Sequence, residues 1–394
     1  MTREKKVLIS GGGIAGLTLG ILLKEKGWEP TIIERDSEMR TDGYIIDFAG
    51  TGWDVAERME LIPELRKINY PINAFTYVDK SGRPYLSLSI AKVRKALSGK
   101  YTYLRRSDLE HILFERARAV GLTLRFATTI QSLVDNGTEV AVTFNDGVKE
   151  SFALVFGADG VHSQVRELTF GAQPRFDRFL GYYVAAFSLE NHKYNIPNSL
   201  AIYEEPNRAM WLYSLGGNKL TAMYVFRHRN IGHVPPKQRA PLLREVYQGS
   251  GWITEELLKD ILETEPVFFD SATQIVMPSW SKGRIAMLGD ACACLTLLAG
   301  QGSHMAMAGA YVLAQELERH DGDHRAAFAA YKKVLMPATV KKQQDAVRMA
   351  KFFVPTERSF TPLRRFIEKL IFNDLLIGFA LSFFGVKSVL SKYR

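Results

Sequence analysis

The residues best placed to do chemistry are three glycines and an acid: Gly11, Gly13 and Gly16 in Gly-x-Gly-x-x-Gly spacing, with Glu34 about 20 residues further on. Gly11 permits a tight turn, Gly13 lets the backbone approach a pyrophosphate, and Gly16 lets a helix pack closely on a strand. Ile14 and Ala15 fall between them, at the opening of a helix whose free N–H groups and positive dipole end favour phosphate. Glu34 is placed to accept a hydrogen bond from a ribose hydroxyl. The chemistry served by this pattern is dinucleotide binding.

A glycine-rich turn alone would be weak evidence, so the flanking elements decide. Residues 6–10 form an apolar run that reads as a buried strand, 17–26 have helical composition, and Gly27 suits a helix end. A second β-rich run, 31–33, closes on Glu34. Strand, glycines, helix, strand and acid arrive in the order the site requires.

The 394 residues are 46% hydrophobic and 24% charged, which fits a globular chain of two or three domains. The net charge of +9 suggests anionic company. Its basic residues are scattered in short clusters such as Lys92-Val93-Arg94-Lys95, Arg227-His228-Arg229 and Lys341-Lys342. Without an aromatic-interleaved basic stripe, nucleic acid is not an expected partner. A dinucleotide, a phosphorylated nicotinamide or an acidic membrane surface would satisfy the same charge. Cys292 and Cys294 are too few for a disulfide framework, and no second pair completes a zinc site. His320 and His324 flank a glycine turn and read as solvent-exposed, so no metal is expected. The charged start leads directly into the first strand and leaves no room for a signal peptide, so a cytoplasmic location is expected; a monomer is the expected state.

Further along, 45–47 form a short apolar run, 53–68 are helical with a break near Pro63, and 74–79 with 85–90 form a hairpin. Residues 107–120 form an amphipathic helix with Ser107 as N-cap and a Ser107-x-x-Glu110 capping box. Strands follow at 122–126, 139–144 and 153–157, the second closed by the turn Asn145-Asp146-Gly147. The β-rich segments 178–190, 199–204, 209–214 and 219–226 make a separate antiparallel sheet. A last strand, 284–289, runs into Asp290, and helices span 302–319 and 323–350, the second kinked by Pro337. The fold class is therefore α/β: a discontinuous Rossmann-like nucleotide-binding domain, an inserted mainly antiparallel β-sheet substrate domain and C-terminal helices. The expected boundaries are 1–72, 100–175 and 276–320 for the first, 73–99 and 176–275 for the second, and 321–394 for the third. Strands drawn from residues near 7, 31, 155 and 285 favour FAD over NAD as the tightly held nucleotide.

With those motifs in view, the chain resembles the class A flavin-dependent monooxygenases of the aromatic hydroxylase type. Within them it is most similar to the tetracycline-inactivating flavoenzymes. The resemblance rests on the glycine turn with Glu34 and Arg35, and on Arg106-x-x-Leu109-x-x-x-Leu113, whose arginine contacts FAD in the family. It rests also on Gly157-Ala158-Asp159-Gly160 through Arg166, on Gly289-Asp290, and on Gly300-Gln301-Gly302. It implies that Arg40 meets NADPH, and that Asp47, Asp159 and Asp290 meet FAD. On physical grounds Asp290, at a strand end, can accept from ribityl hydroxyls, and the helix opening at Gly300–Gly302 can set N–H groups against the flavin.

The implied activity is an NAD(P)H-driven hydroxylation of a phenolic, enolic or polycyclic small molecule, including tetracycline-type antibiotics, through a flavin hydroperoxide. NADPH or NADH serves as a transient reductant, O2 is the co-substrate, and no side chain acts as nucleophile. Core packing is the default for Trp211, Tyr213 and Tyr224. One face of the inserted sheet should nonetheless line the pocket, which makes them, with Arg208 in the turn before, the substrate candidates.

The chain departs from the family between Cys292 and Ala299, where Leu295 and Leu297 replace prolines, and at Ser303-His304. A softer or differently packed flavin-edge loop motivates an alternative: an FAD-containing ligand-binding protein with little oxygenation. A NAD-dependent dehydrogenase fits Glu34 but not the Arg106 helix or Gly289-Asp290. The apolar run 375–386 is short of the roughly 20 residues that span a bilayer, and reads as a lid or bridging helix. The basic residues around it keep a peripheral membrane contact as the other reading.

Overall fold

The computed structural model describes residues 5–39, 44–68, 70, 72–190, 194, 198–216, 218–261, 267–357, 364, 388–390 and 393. Arg40 and the apolar run 375–386 lie outside the described residues.

One sheet has six strands in the order Ser281–Lys282, Ile285–Met287, Leu154–Gly157, Lys6–Ser10, Glu29–Ile33 and Thr123–Arg125. All pairings are parallel except that of the short edge strand Ser281–Lys282. Parallel strands are covered on both sides, which is why Val7, Leu8 and Ile9 are fully buried and read as a continuous apolar run. The helices Ile14–Glu25 and Gly302–Arg319 pack together in this core. A three-stranded antiparallel sheet, Lys149–Phe152, Val140–Phe144 and Ile130–Asp135, shares it.

The second large sheet has seven strands: Phe268–Ile275, Asp177–Glu190, Lys219–Arg227, Arg208–Ser214, Ser199–Glu205, Ala74–Val78 and Pro84–Ser89. It is antiparallel apart from the Ser199–Glu205 and Ala74–Val78 pair. Alternation divides its side chains between two faces. Met210, Leu212 and Tyr224 pack with residues of the helices Pro236–Val246 and Thr254–Lys259. Trp211 and Met223, paired across the sheet, point the other way. On that other side lies a two-stranded ladder, Ile45–Ala49 against Tyr101–Arg105.

Several local expectations change. The helix expected to start at Ser107 runs Arg106–Ala119 with Arg105 as its cap. The cap is made by Asp108, whose carboxylate accepts from the Arg105 backbone N–H at 2.9 Å and from its guanidinium at 2.8 Å. The Ser107 hydroxyl is buried without a partner, and Glu110 is taken by Arg106. The helix expected over 323–350 spans His324–Phe353, with Pro337 inside it. Among the described residues no helix is long and apolar enough to cross a membrane.

Candidate active site

The first strand ends at Ser10, and the chain turns through Gly11 at φ +109°, a conformation open to glycine. A Cβ at Gly11 would lie 2.4 Å from the Ala158 carbonyl oxygen, and one at Gly16 1.9 Å from that of Gly11. Both glycines are demanded by close packing of strand and helix. Gly13 differs, since a Cβ there would meet nothing nearer than Glu110 at 3.4 Å. It forms the N-cap of the Ile14–Glu25 helix, with no side-chain cap and no acid in the first turn. The unpaired N–H groups therefore face a cleft of about 290 Å³ lined by Gly11, Gly12, Gly13, Glu34, Arg106 and Asp159 among others. Ile14 and Ala15 contribute backbone there, their side chains being buried in the core.

Glu34 sits at the far edge of that cleft, and its carboxylate accepts from the Gly12 N–H at 2.8 Å and the Asp36 N–H at 3.1 Å. Arg35 lines the same cleft, exposed and 3.6 Å from Asp36. Asp159 is committed within its own loop. Its carboxylate accepts from Ser163 Oγ at 2.5 Å and from the Val165 N–H at 3.0 Å, tying down the start of the Gln164–Phe170 helix.

Arg106 borders this cleft and also a second cavity of about 70 Å³ whose lining includes Tyr44, Asp290, Cys294, Gly300 and Gly302. Burial raises the pKa of Asp290. A Cβ at Gly302 would come 3.7 Å from its Oδ1, so the opening of the Gly302–Arg319 helix meets the acid closely. That helix also lacks a side-chain cap. The side chain of its N-cap, Gln301, accepts instead from Lys342 Nζ, whose pKa burial lowers to about 8.

Gly300 in turn borders a third cavity, about 190 Å³ and largely apolar, with Phe75, Tyr77, Leu88, Trp211 and Met223 in its wall. Gln301 lines it too. Cleft, passage and apolar cavity thus form one track from Glu34 past Arg106 and Asp290 to Gly300 and Trp211. Helix N-termini without caps, a guanidinium between them and a buried acid midway suit an extended dinucleotide carrying a pyrophosphate, a polyol and a flat ring. The residues present fit FAD.

The substrate candidates divide. Trp211 lines the apolar cavity. Tyr213, on the same face, is fully buried beyond it, and its hydroxyl accepts from the Ile45 N–H at 3.1 Å, holding the ladder on the sheet. Tyr224 faces the opposite side, stacked on Phe187 with its hydroxyl donating to the Thr254 carbonyl at 2.9 Å. Arg208 is also directed away, donating to Glu205 at 2.8 Å and the Val246 carbonyl at 2.6 Å. Tyr224 and Arg208 therefore leave the substrate set.

Asp47, which the resemblance assigns to FAD, lines the cavity that Gly300 and Gln301 also line. Its carboxylate lines the apolar cavity and not the glycine cleft, and accepts from Tyr101 at 2.5 Å. Its backbone carbonyl accepts from His304 Nε2 at 2.9 Å, and burial pushes that imidazole down to about 4. Tyr101, Tyr103 and His304 were not expected as site residues. The available signal was the Tyr-x-Tyr alternation, which sets both hydroxyls on one face of a strand.

The loop from Cys292 to Ala299 is pinned. Gln343 donates to the Ile275 carbonyl at 2.8 Å and the Cys294 carbonyl at 3.0 Å, while Gln274 donates to the carbonyls of Leu295 and Gln343. Arg166, fully buried, donates to the Ala291 carbonyl at 2.8 Å. Both cysteines are free and buried, and burial raises their thiol pKa values.

The chain is similar to known proteins over most of its length. A family model described as FAD binding domain matches residues 4–326. A flavin-dependent monooxygenase from an unknown prokaryotic organism is 31% identical over 357 residues, covering 90% of this chain and 91% of the relative. The solved tetracycline destructase Tet(55) aligns with a TM-score of 0.85 at 28% identity, covering 99% of both chains. Tetracycline destructase Tet(51) aligns with a TM-score of 0.81 at 27% identity, over 97% of this chain and 98% of that one.

Proposed function

The chain belongs to the FAD-binding-domain family as a flavin-dependent monooxygenase with FAD as its cofactor, and we propose that it uses NAD(P)H and O2 to hydroxylate a phenolic, enolic or polycyclic small molecule. The observation that carries this reading is the track itself: Gly300 borders both the passage beside Asp290 and the apolar cavity. A ring held at Gly300–Gly302 would lie against whatever fills that cavity.

When bound, FAD supplies the reduction and oxygen activation that no side chain here offers. The chain's own residues do the rest. Free N–H groups at Gly13–Gly16 and the Arg106 guanidinium would hold the pyrophosphate. Glu34 would accept from the ribose and Asp290 from a ribityl hydroxyl. The uncapped start of the Gly302–Arg319 helix would offer N–H groups to the ring and stabilise the negative charge that reduction adds. The apolar walls exclude water and orient the substrate. In this reading the six-stranded sheet carries the cofactor and the seven-stranded sheet roofs the substrate. The nicotinamide docks transiently, since the sequence holds no second glycine motif for it.

A tetracycline-type antibiotic is the proposed substrate class, supported by the likeness to Tet(55) and Tet(51) across nearly the whole chain. The buttressed Cys292–Ala299 loop supports oxygenation over a ligand-binding protein with little of it. The test supplies isotopically labelled O2 with NADPH and a tetracycline, and reads the product by mass spectrometry. One labelled oxygen atom per product molecule is expected. NADPH consumption that never labels the drug would overturn the substrate assignment.

A further inference from the structure

The long helix His324–Phe353 supports the turn at Gly300 with two consecutive side chains. Gln343 donates to the Ile275 and Cys294 carbonyls and so holds the loop that leads into the turn. Lys342 reaches the turn itself, where its ammonium donates to Gln301 Oε1 at 2.5 Å. Gln301 is buried, lies between Gly300 and Gly302, and is the N-cap of the Gly302–Arg319 helix. A cation therefore stands one amide away from the residues proposed to hold the flavin ring.

For the protein alone this is the wrong charge in the wrong place. A helix N-terminus carries positive partial charge and is stabilised by an acid, yet this one has no acid in its first turn and a lysine beside its cap. The lysine also gives up hydration to meet a neutral amide, and burial lowers its pKa to about 8. Among the described residues, little around it changes that balance. On its own helix Asp345 raises the pKa and Lys341 lowers it, and Asp345 is itself bonded to Arg348. From the Gly302–Arg319 helix comes His304, which a pKa of about 4 keeps neutral at pH 7. The neighbouring turn Leu297–Ala299 adds no charge. Near pH 7 Lys342 is thus mostly protonated, and its partial burial leaves its field less screened than that of a surface lysine. Ammonium and helix opening repel each other, and both gain when negative charge arrives between them.

We propose that Lys342 is a positioning residue of the flavin site, fixing Gln301 and setting a positive charge behind the turn so that bound FAD is easier to reduce. This rests on the reading that places the ring at Gly300–Gly302, and deepens it by making reduction sensitive to pH. A hydride from NAD(P)H, which leaves as NAD(P)+, brings two electrons and one proton to the ring and leaves it with one negative charge. Lys342 keeps its proton and offsets that charge.

The test measures the two-electron reduction potential of the FAD-loaded protein by anaerobic titration against reference dyes, from about pH 6.5 to pH 9.5, a range that brackets the lysine. Lys342→Gln keeps an amide donor for Gln301 without the charge, and Lys342→Arg keeps the charge. At pH 7, Lys342→Gln should weaken binding of reduced relative to oxidised FAD at least about tenfold, which lowers the potential by about 30 mV. Lys342→Arg should restore it. The gap between the native chain and Lys342→Gln should narrow as pH rises above about 8 and the lysine loses its proton. In the native chain alone the potential should fall more steeply there, because reduction then takes up a second proton, on Lys342. A native potential in Lys342→Gln, a gap indifferent to pH, a constant native slope or a failure of arginine to restore the potential would overturn the proposal. A native chain that binds no FAD would overturn instead the flavin-site reading beneath it.

Discussion

The Arg106 guanidinium lies 2.8 Å from the Glu110 carboxylate one turn along the same helix, and this pair stands between the glycine cleft and the passage beside Asp290. Glu110 is buried and needs its partner, so Arg106 has two tasks: it neutralises Glu110 and presents its remaining donors to the cleft. Arg106→Ala should therefore reduce both stability and FAD retention. Arg106→Ala combined with Glu110→Gln should recover stability without recovering FAD. Asp290→Ala should lower flavin per chain in the same way. At least about a tenfold loss of affinity is expected for each site change, read from visible absorbance after gel filtration. Unchanged flavin content in either Arg106→Ala or Asp290→Ala would contradict the assignment.

Two glycines of one motif should behave oppositely. Gly16→Ala drives a methyl group to 1.9 Å from the Gly11 carbonyl oxygen and should destabilise the apoprotein by about 3 kcal/mol or more. Gly13→Ala meets only ordinary contacts at 3.4 Å and should leave apoprotein stability within about 1 kcal/mol, while FAD binding falls. Thermal unfolding of the apoproteins followed by FAD titration separates the two. Similar melting of both variants would contradict this division of roles.

His304 predicts a pH dependence. Its folded pKa is about 4 against an ordinary 6.5, because burial and then the Lys342 charge disfavour the imidazolium. Between those values the unfolded chain binds more protons, so stability is full above pH 6.5 and is lost as pH falls towards 4. The loss attributable to this residue is about 3 kcal/mol. His304→Gln should show a correspondingly smaller drop in urea unfolding between pH 7 and pH 4.5, roughly the window set by those pKa values. An equal drop in both chains would rule this residue out as the cause.

Gln343 ties the loop beside Gly300 to the long C-terminal helix His324–Phe353. Gln343→Leu removes the side-chain donor from the Ile275 and Cys294 carbonyls, at about 1–3 kcal/mol. Cys292 and Cys294, now buried, should then react with a thiol reagent at least about tenfold faster, in line with the local free energy lost. Unaltered thiol reactivity would show that the loop holds itself in place.

The sheet that carries the glycine cleft was legible because its strands are covered on both sides. Val7–Ile9, Ile32–Ile33 and Val155–Phe156 are uninterrupted apolar pairs or triplets that nothing else explains. Phe268–Ile275 was not read as a strand, because Asp270, Ser271 and Thr273 turn polar side chains into the passage and break the pattern. Ile130–Asp135 was missed for a similar reason, being half-exposed and mixed. Composition could place Trp211 and Tyr224 on strands, but only register shows that Trp211 pairs with Met223, which puts Tyr224 on the other face. The helix cap moved from Ser107 to Arg105 because Asp108, not Glu110, reaches back to the backbone. Glu110 was already engaged by Arg106, an interaction of side chains that spacing alone does not rank.

In the proposed reading, one track joins a flavin site to an apolar substrate cavity at Gly300. The most direct measurement is the visible spectrum of the FAD-loaded protein under anaerobic conditions, before and after NADPH, with and without a tetracycline. NADPH should bleach the flavin spectrum, and bleach it faster when the drug fills the cavity. A flavin that NADPH cannot reduce with or without the drug, or a protein that refuses FAD altogether, would contradict it.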